Sequence, residues 1–594
     1  MERVADYVIE RLYKEGIGHI FMVTGRGILY LSDAVAKHEE MQAVCTHHEQ
    51  AAAFAALAYT EANEKMGACL ISTGCASTNA ITGLLCAWQD NVPCIFISGQ
   101  NKLKETTRYT QIPLRTFGNQ EADIISIVEP ITKYAKMITD PNDIAYEMDK
   151  AIYMANNGRK GPVWLDIPLD VQDMRVEREE LVGFVPEEEN VHVPTSEDLT
   201  YVERALLESE RPVLLIGGGV RSSGAVSELE AFLEKCPIPV AYANSAVDVY
   251  NGDNPLSMGV VASIGGTRCG NFTVQNSDLL LVLGCRLSPQ TTGSEYEKFA
   301  RAAKVIVVDI DPVEHSKNTI KIDRLIISDV KKFLAAISQK NIHGASEEWI
   351  SKCLHWRGIF PKCEENYVKS EKIDLHYLSQ CISDTLDDNT ILMSDSGLSE
   401  LLVPSIVSFK KGQRCIHSAS QGSMGFALPG TIGAYYGSYR PVVAVIGDGS
   451  IMMNLQEFQT ISYNKIPVKI LVINNNAYSV IRTRQEQLFR SRTIGTDPDN
   501  GVGCPDFEKV ATCFDISYVK IEGNENLQEK LLSVFQMEGP VLCEVICVED
   551  QKYLHSSYAF NSKRKLVRRP LEDQSPYLDR ELFESEMIIE PIDQ

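Results

Sequence analysis

A chain of 594 residues is too long for one hydrophobic core, and 44% apolar with 23% charged residues is the balance of a soluble globular enzyme of about three domains. A net charge of −23 excludes nucleic acid and anionic membranes as general partners, because its long-range field repels both. Sixteen singly placed cysteines without a CxxC pair exclude zinc-ribbon and thioredoxin chemistry, and with no apolar leader or membrane-length run they predict a cytoplasmic protein with reduced thiols.

Short β-branched runs alternate with helical stretches along the chain, the pattern of doubly wound parallel-sheet α/β domains. The first domain is expected over residues 1–180, closing in GPVWLDIPLDVQ. Within it MQAVCTHHEQAAAFAALAYTEANEK reads as a strand followed by a helix from about His48, with Glu49 at its start. Thr46-His-His-Glu49 also spells a capping box, in which Glu49 would reach back to the helix cap. His47 and His48 read as half-buried structural histidines. An acidic connector, VPEEENVHVPTS over 185–196, leads to a second domain over 195–340 with RPVLLIGGG, NSDLLLVLGCR and AKVIVVDIDP. A polar stretch with Trp349 and Trp356 bridges to a third domain over 372–550, and residues 551–594 read as a tail lying on the surface.

The third domain carries the sharpest motif. PVVAVIGDGS is an apolar strand ending in a tight turn, a helical stretch follows over Met453 to Tyr463, and PVKILVINNN is a second strand ending in three asparagines. A right-handed crossover brings both strand ends to one sheet edge, where open α/β sheets bind ligands. Asp448 and Asn475 therefore converge although far apart in sequence. A carboxylate, an amide oxygen and a backbone carbonyl are hard donors suited to Mg²⁺, with phosphate oxygens completing the shell. Gly447 and Gly449 let backbone N–H groups approach a diphosphate, Ser450 follows in the same turn, and the next helix is expected to aim its N-terminus at the phosphate beside Asp448.

These residues, with HHEQAAAFAALAYT, STGCASTNAITGLLCAWQDNVPCIFISGQ, GPVWLDIPLDVQ, SMGFALPGTIGA and GDGSIMMNLQEFQT…INNNAYSVI, resemble the acetolactate synthase-like branch of thiamine-diphosphate enzymes over about residues 1–550. The resemblance implies three doubly wound domains, pyrimidine-binding, central nucleotide-fold and diphosphate-binding. It implies thiamine diphosphate and Mg²⁺ as cofactors, and decarboxylation of a 2-oxo acid with transfer of its acyl group to an acceptor carbonyl. Glu49 looks like the carboxyl group that exchanges a proton with the aminopyrimidine, a task suited to a buried acid. Gln120 resembles a glutamine facing the reactive intermediate. Asp448, Asn475 and the carbonyl of Ala477 look like the metal ligands, with Tyr478 and Val480 beside them. Met424 would hold the cofactor bent, Gly422 would offer its carbonyl to the 4′-amino group, and Gly397 and Ser399 lie at the diphosphate loop. The family builds this site between subunits, so a homodimer or homotetramer is implied.

The sequence departs from acetolactate synthases around the substrate. Arg484 stands where they carry a tryptophan, Asn119 where they carry a phenylalanine, and Arg26 where glycine is usual. Two guanidinium groups suit an acceptor with phosphate, carboxylate or many hydroxyls. Together with the PLED and YLDRE tail, they resemble the subgroup associated with surface-sugar biosynthesis, where the acceptor would be a keto sugar. In the central domain Gly217, Gly218, Gly284, Arg286, Asp309 and Asp329 resemble FAD-contacting positions, whereas RLSPQTTG lacks the charged residues of the family's RFDDRVTG. Two alternatives stand: FAD is bound, or the nucleotide fold has lost it or takes another nucleotide. Two other functions are weighed against a carboligase. A simple decarboxylase is disfavoured because TTRYTQIPLRTFGNQ lacks a histidine pair, and a silent regulatory homologue because Glu49, Asp448 and Asn475 are all present.

Overall fold

The computed structural model describes residues 1–187 and 192–592; the middle of the acidic connector, 188–191, lies outside them. Three six-stranded sheets, each parallel throughout, carry helices on both faces. Their central strands are continuous apolar runs such as Leu279–Leu283 and Val442–Gly447, as burial on both faces requires.

The first sheet runs Gln42–Cys45, His19–Met22, Gly67–Ile71, Cys94–Gln100, Val163–Pro168, Tyr134–Met137. The third runs Arg414–Ile416, Ile391–Ser394, Val442–Gly447, Lys469–Asn474, Val541–Ile546, Ser517–Ile521. Numbered by position in the chain, both have the order 2-1-3-4-6-5, so these two domains share one topology. The middle sheet runs Ser257–Val260, Val240–Tyr242, Pro212–Ile216, Leu279–Leu283, Lys304–Asp309, Arg324–Ile327, which is the order 3-2-1-4-5-6 of a dinucleotide fold. Each order has one switch point, where neighbouring strands send their connections to opposite faces and leave a crevice beyond their carboxyl ends.

The first and third domains are locked together through the helices Glu49–Asn63 and Ala427–Ser438. Gly433 makes the approach possible, since a Cβ there would lie 1.9 Å from the carbonyl oxygen of Ala55. The bridge with Trp349 and Trp356 is a helix, Glu347–Ile359, whose two tryptophans are buried against the central sheet. The segment from 551 docks on the same domain: Phe583 enters its core, Glu572 pairs with Arg301, and Glu586 accepts the indole N–H of Trp356.

Candidate functional site

Residues 72–79, between the strand Gly67–Ile71 and the helix Ile81–Asp90, form the hub of the first sheet's edge. The turn with Arg26 packs on it so closely that a Cβ at Gly25 or Gly27 would overlap the side chains of Ser72 and Thr73. The carbonyl of Gln120 lies against Gly74, and Gln120 itself adopts a φ of +59°. Asn101 ties the neighbouring Asn119 to the end of the adjacent strand through its carbonyl, at 3.0 Å. Asn79 donates to the Glu49 carboxylate at 2.9 Å. Arg26, Asn119, Gln120 and Glu49 are thus gathered around one switch point.

Glu49 does not cap its helix. The cap is His48, whose Nδ1 accepts the N–H of Gln50 at 3.3 Å, so the capping-box alternative is not what the chain adopts. Within one chain Glu49 is half-buried and not enclosed in an apolar pocket.

At the third sheet's edge the register pairs Gly447 with Ile473, which sets Asp448 beside the asparagine run. Asp448 is 2% exposed, and its two oxygens accept the N–H groups of Gly449 and Asn476, each at 2.7 Å. Burial raises its pKa, and those backbone donors oppose the shift. The Asn475 amide nitrogen donates to Ser479 Oγ at 2.6 Å, which fixes Oδ1 as its free acceptor. The Tyr478 ring covers Gly449 so tightly that a Cβ there would lie 1.6 Å from it, whereas a Cβ at Gly447 or Gly397 would meet no atom within 4 Å. That contrast leaves open space lined by backbone beside the acid and the amide, the room a diphosphate needs. Among the described residues no three His, Cys, Asp or Glu cluster as a metal site, so a cation here depends on mixed carboxylate, amide and carbonyl oxygens.

The helix after Asp448 begins only at Glu457, so its N-terminus does not face the turn as expected; a short 3₁₀ turn, Ile451–Met453, intervenes. Asn454 accounts for the delay by donating outward to Gln50 and to the carbonyl of Gly425. Glu457 then accepts the N–H of His47 at 3.0 Å, so the two edges are neighbours within one chain, although no hydrogen bond or ion pair joins Glu49 to Asp448 among the described residues. Asp395 was not anticipated. It is 1% exposed at the end of Ile391–Ser394, accepts N–H groups from Ser396, Gly425 and Ala427, and bonds the Ser450 side chain. It thereby ties Ser396, Gly425 and Ser450, the neighbours of Gly397, Met424 and Gly449, to one strand end at the switch point. The signal for it was an acid directly after the apolar strand in ILMSDSG.

Arg484 is exposed, and its one hydrogen bond among the described residues is a 3.4 Å contact to Gln487, whereas Arg482 is held by Glu549 and Asp550. Arg26 is exposed as well, and no partner for it is found among the described residues.

The middle sheet's switch point opens on a cavity of about 1130 Å³ between all three domains. Gly218, Gly284, Arg286, Asp309 and Asp329 line it; Gly217 stands behind the wall, packed on Gly284 and Cys285. Asp309 binds His315 and the N–H of Asp311, and Asp329 caps the helix Val330–Ile337. Several buried polar atoms at the wall have no partner among the described residues: both amide atoms of Asn244, Nδ1 of His417, Nε of Arg221 and one carboxyl oxygen each of Glu61 and Asp90. Unsatisfied groups of this kind at a roomy cavity indicate a polar occupant.

Profiles of the thiamine pyrophosphate enzyme family match all three domains: the N-terminal TPP binding domain at residues 2–126, the central domain at 199–337, and the C-terminal TPP binding domain at 395–545. The chain is 30% identical to the acetolactate synthase large subunit of Buchnera aphidicola, covering 93% of this chain and 95% of that protein. It is 31% identical to a probable acetolactate synthase large subunit of Methanocaldococcus jannaschii, covering 91% of each. With the acetolactate synthase large subunit of Cyanidium caldarium the identity is 30%, over 91% of this chain and 92% of the relative. Three domains with their switch points in family order, matched by these relatives along almost the whole chain, show that it belongs to the thiamine-diphosphate-dependent enzymes, in the acetolactate synthase large-subunit branch.

Proposed function

We propose that the enzyme decarboxylates a 2-oxo acid, pyruvate in the first instance, and joins the acyl group to the carbonyl of an acceptor carrying anionic groups or several hydroxyls. Bound thiamine diphosphate supplies the electron sink for the decarboxylation. Glu49 exchanges a proton with the cofactor's aminopyrimidine, and its freedom from the helix cap supports that role. Asp448, Asn475 Oδ1 and the Ala477 carbonyl would hold Mg²⁺, which binds the diphosphate in the open space at Gly447 and Gly397. Gly449, Ser450, Ser399, Tyr478 and Val480 complete the wall, Met424 and Gly422 support the cofactor's pyrimidine end, and Gln120 faces the reacting carbons.

The observation that carries the proposal is the exposure of Arg26 and Arg484, each without a carboxylate partner among the described residues, on elements that bear the two halves of the site. A phosphate, carboxylate or polyol acceptor would give them the forked contacts they lack, and a keto sugar satisfies this chemistry. The halves meet between two copies, in a homodimer or a homotetramer. Exposed apolar side chains beside both edges, among them Ile112, Leu114, Phe117, Met452, Met453 and Phe489, support an interface there. The domain limits fall at 1–180, 195–340 and 372–550, with 551–594 as the tail. The central cavity holds a nucleotide of the FAD class, and the sixteen free cysteines suit the cytoplasm. Among the described residues no helix is long and apolar enough to cross a membrane.

The test is carbon dioxide release from pyruvate with thiamine diphosphate and Mg²⁺, with and without a phosphorylated or hydroxylated ketone. A carboligase consumes the ketone and forms a carbon–carbon bond; aldehyde as the only product would identify a decarboxylase, and no release from any 2-oxo acid a silent homologue. An absorption spectrum of the purified protein decides the flavin.

A further inference from the structure

The helix Leu398–Ile406 starts at Gly397, whose φ is +78°, and carries Glu400 in its first turn. Glu400 is 8% exposed, and no hydrogen-bond partner for its carboxyl group is found among the described residues. It abuts the loop across the site, because a Cβ at Gly422 would lie 2.8 Å from Glu400 Oε2. Gly422 has a φ of +56°, a backbone conformation that favours glycine there. One helical turn thus joins the diphosphate end of the site, at Gly397 and Ser399, to the Gly422 loop at its pyrimidine end.

The titratable groups facing Glu400 are Asp90 at the end of the helix Ile81–Asp90, Asp395 at the end of its neighbouring strand, and Cys415 on Arg414–Ile416. No cation faces it among the described residues. Burial first, then repulsion from Asp90 and Asp395, push its pKa up to about 8.

We propose that Glu400 is a positioning residue of the thiamine site: its uncharged carboxyl group packs against the Gly422 loop from the helix that begins at the diphosphate, so that cofactor affinity depends on its keeping a proton. The inference rests on the thiamine-site assignment of Gly397 and Gly422. Its physical basis is like-charge repulsion. A diphosphate at the helix start adds negative charge near a carboxyl group already faced by two others, so cofactor binding favours the protonated acid. The proton stays on the protein throughout, and no covalent step is involved.

The experiment is a titration of the full-length, Mg²⁺-saturated protein with thiamine diphosphate at pH 7, 8 and 9, followed by tryptophan fluorescence, for the wild type and Glu400→Gln. The wild type is expected to lose affinity above pH 8, approaching about tenfold per pH unit if only the protonated form binds. Glu400→Gln, which keeps the shape and cannot ionise, should bind with an affinity flat across this range. Glu400→Asp should restore a pH dependence. A pH-independent wild-type affinity overturns the proposal even if the glutamine variant does not fold, and so does an unchanged pH dependence in Glu400→Gln. Absence of binding at every pH would overturn the thiamine-site assignment itself.

Discussion

The Asn79 side chain donates to the Glu49 carboxylate at 2.9 Å, so the acid at the head of the helix Glu49–Asn63 is oriented by the switch-point turn and not by its own backbone. Glu49→Gln is therefore expected to lower turnover by about 10²- to 10⁴-fold, the range of a lost general acid–base group. Its stability cost should stay within about 1 kcal/mol, because only a charge at a helix N-terminus is removed. Steady-state assays and thermal melting check both halves. Full activity in this variant would reduce Glu49 to a structural role.

Two glycines in one turn should respond oppositely to alanine. Gly449→Ala drives a methyl group into the Tyr478 ring and should destabilise the fold by about 1–3 kcal/mol or more. Gly447→Ala meets no protein atom within 4 Å, so its melting temperature should match the wild type. Its thiamine diphosphate affinity should fall by about 10- to 100-fold, because the methyl group keeps the diphosphate off the backbone and forfeits about one hydrogen bond to a charged group. Denaturation and cofactor titration separate the two effects.

Arg484→Ala should raise the KM for an anionic or polyol acceptor by about 10- to 100-fold, again one charge-assisted contact, while decarboxylation of the donor alone continues. Among the described residues the arginine has no ion-pair partner whose loss could disturb the fold. Competing assays with and without acceptor give the answer, and Arg26→Ala should behave alike.

Stability should fall as pH rises from about 4 to about 7. Asp166 is fully buried on the strand Val163–Pro168, and burial pushes its pKa up to about 7 against the hydrogen bonds from Ser98 and Gln100. An acid whose folded pKa exceeds its unfolded value stabilises fully below the unfolded pKa and loses that contribution as pH climbs through the folded one. Asp166→Asn should flatten the decline of the melting temperature over this window. An identical slope in the variant would assign the decline to other groups.

How far the fold was legible depends on how local its causes are. Asp448 and Asn475 could be paired from sequence because two apolar strands and one crossover force their ends together. The late start of the helix at Glu457 could not, because its cause is Asn454 reaching Gln50, more than four hundred residues away. Trp349 and Trp356 sit in a stretch without clear amphipathic spacing, and the partner that satisfies the buried Trp356 indole is Glu586, returning from the far end of the chain. Asp395 and Glu400 were missed for the same reason: an acid gains meaning only when another domain closes on it.

The account as a whole rests on the edge carrying Glu49 completing the edge carrying Asp448 of a second copy. Glu49→Gln and Asp448→Asn are each expected to be inactive, and subunit exchange between them creates dimers in which one of two sites has both native residues. Carbon dioxide release from the mixture should recover to about a quarter of the wild-type rate, as statistical pairing in a twofold dimer requires. A mixture no more active than its separate components would contradict a site shared between subunits.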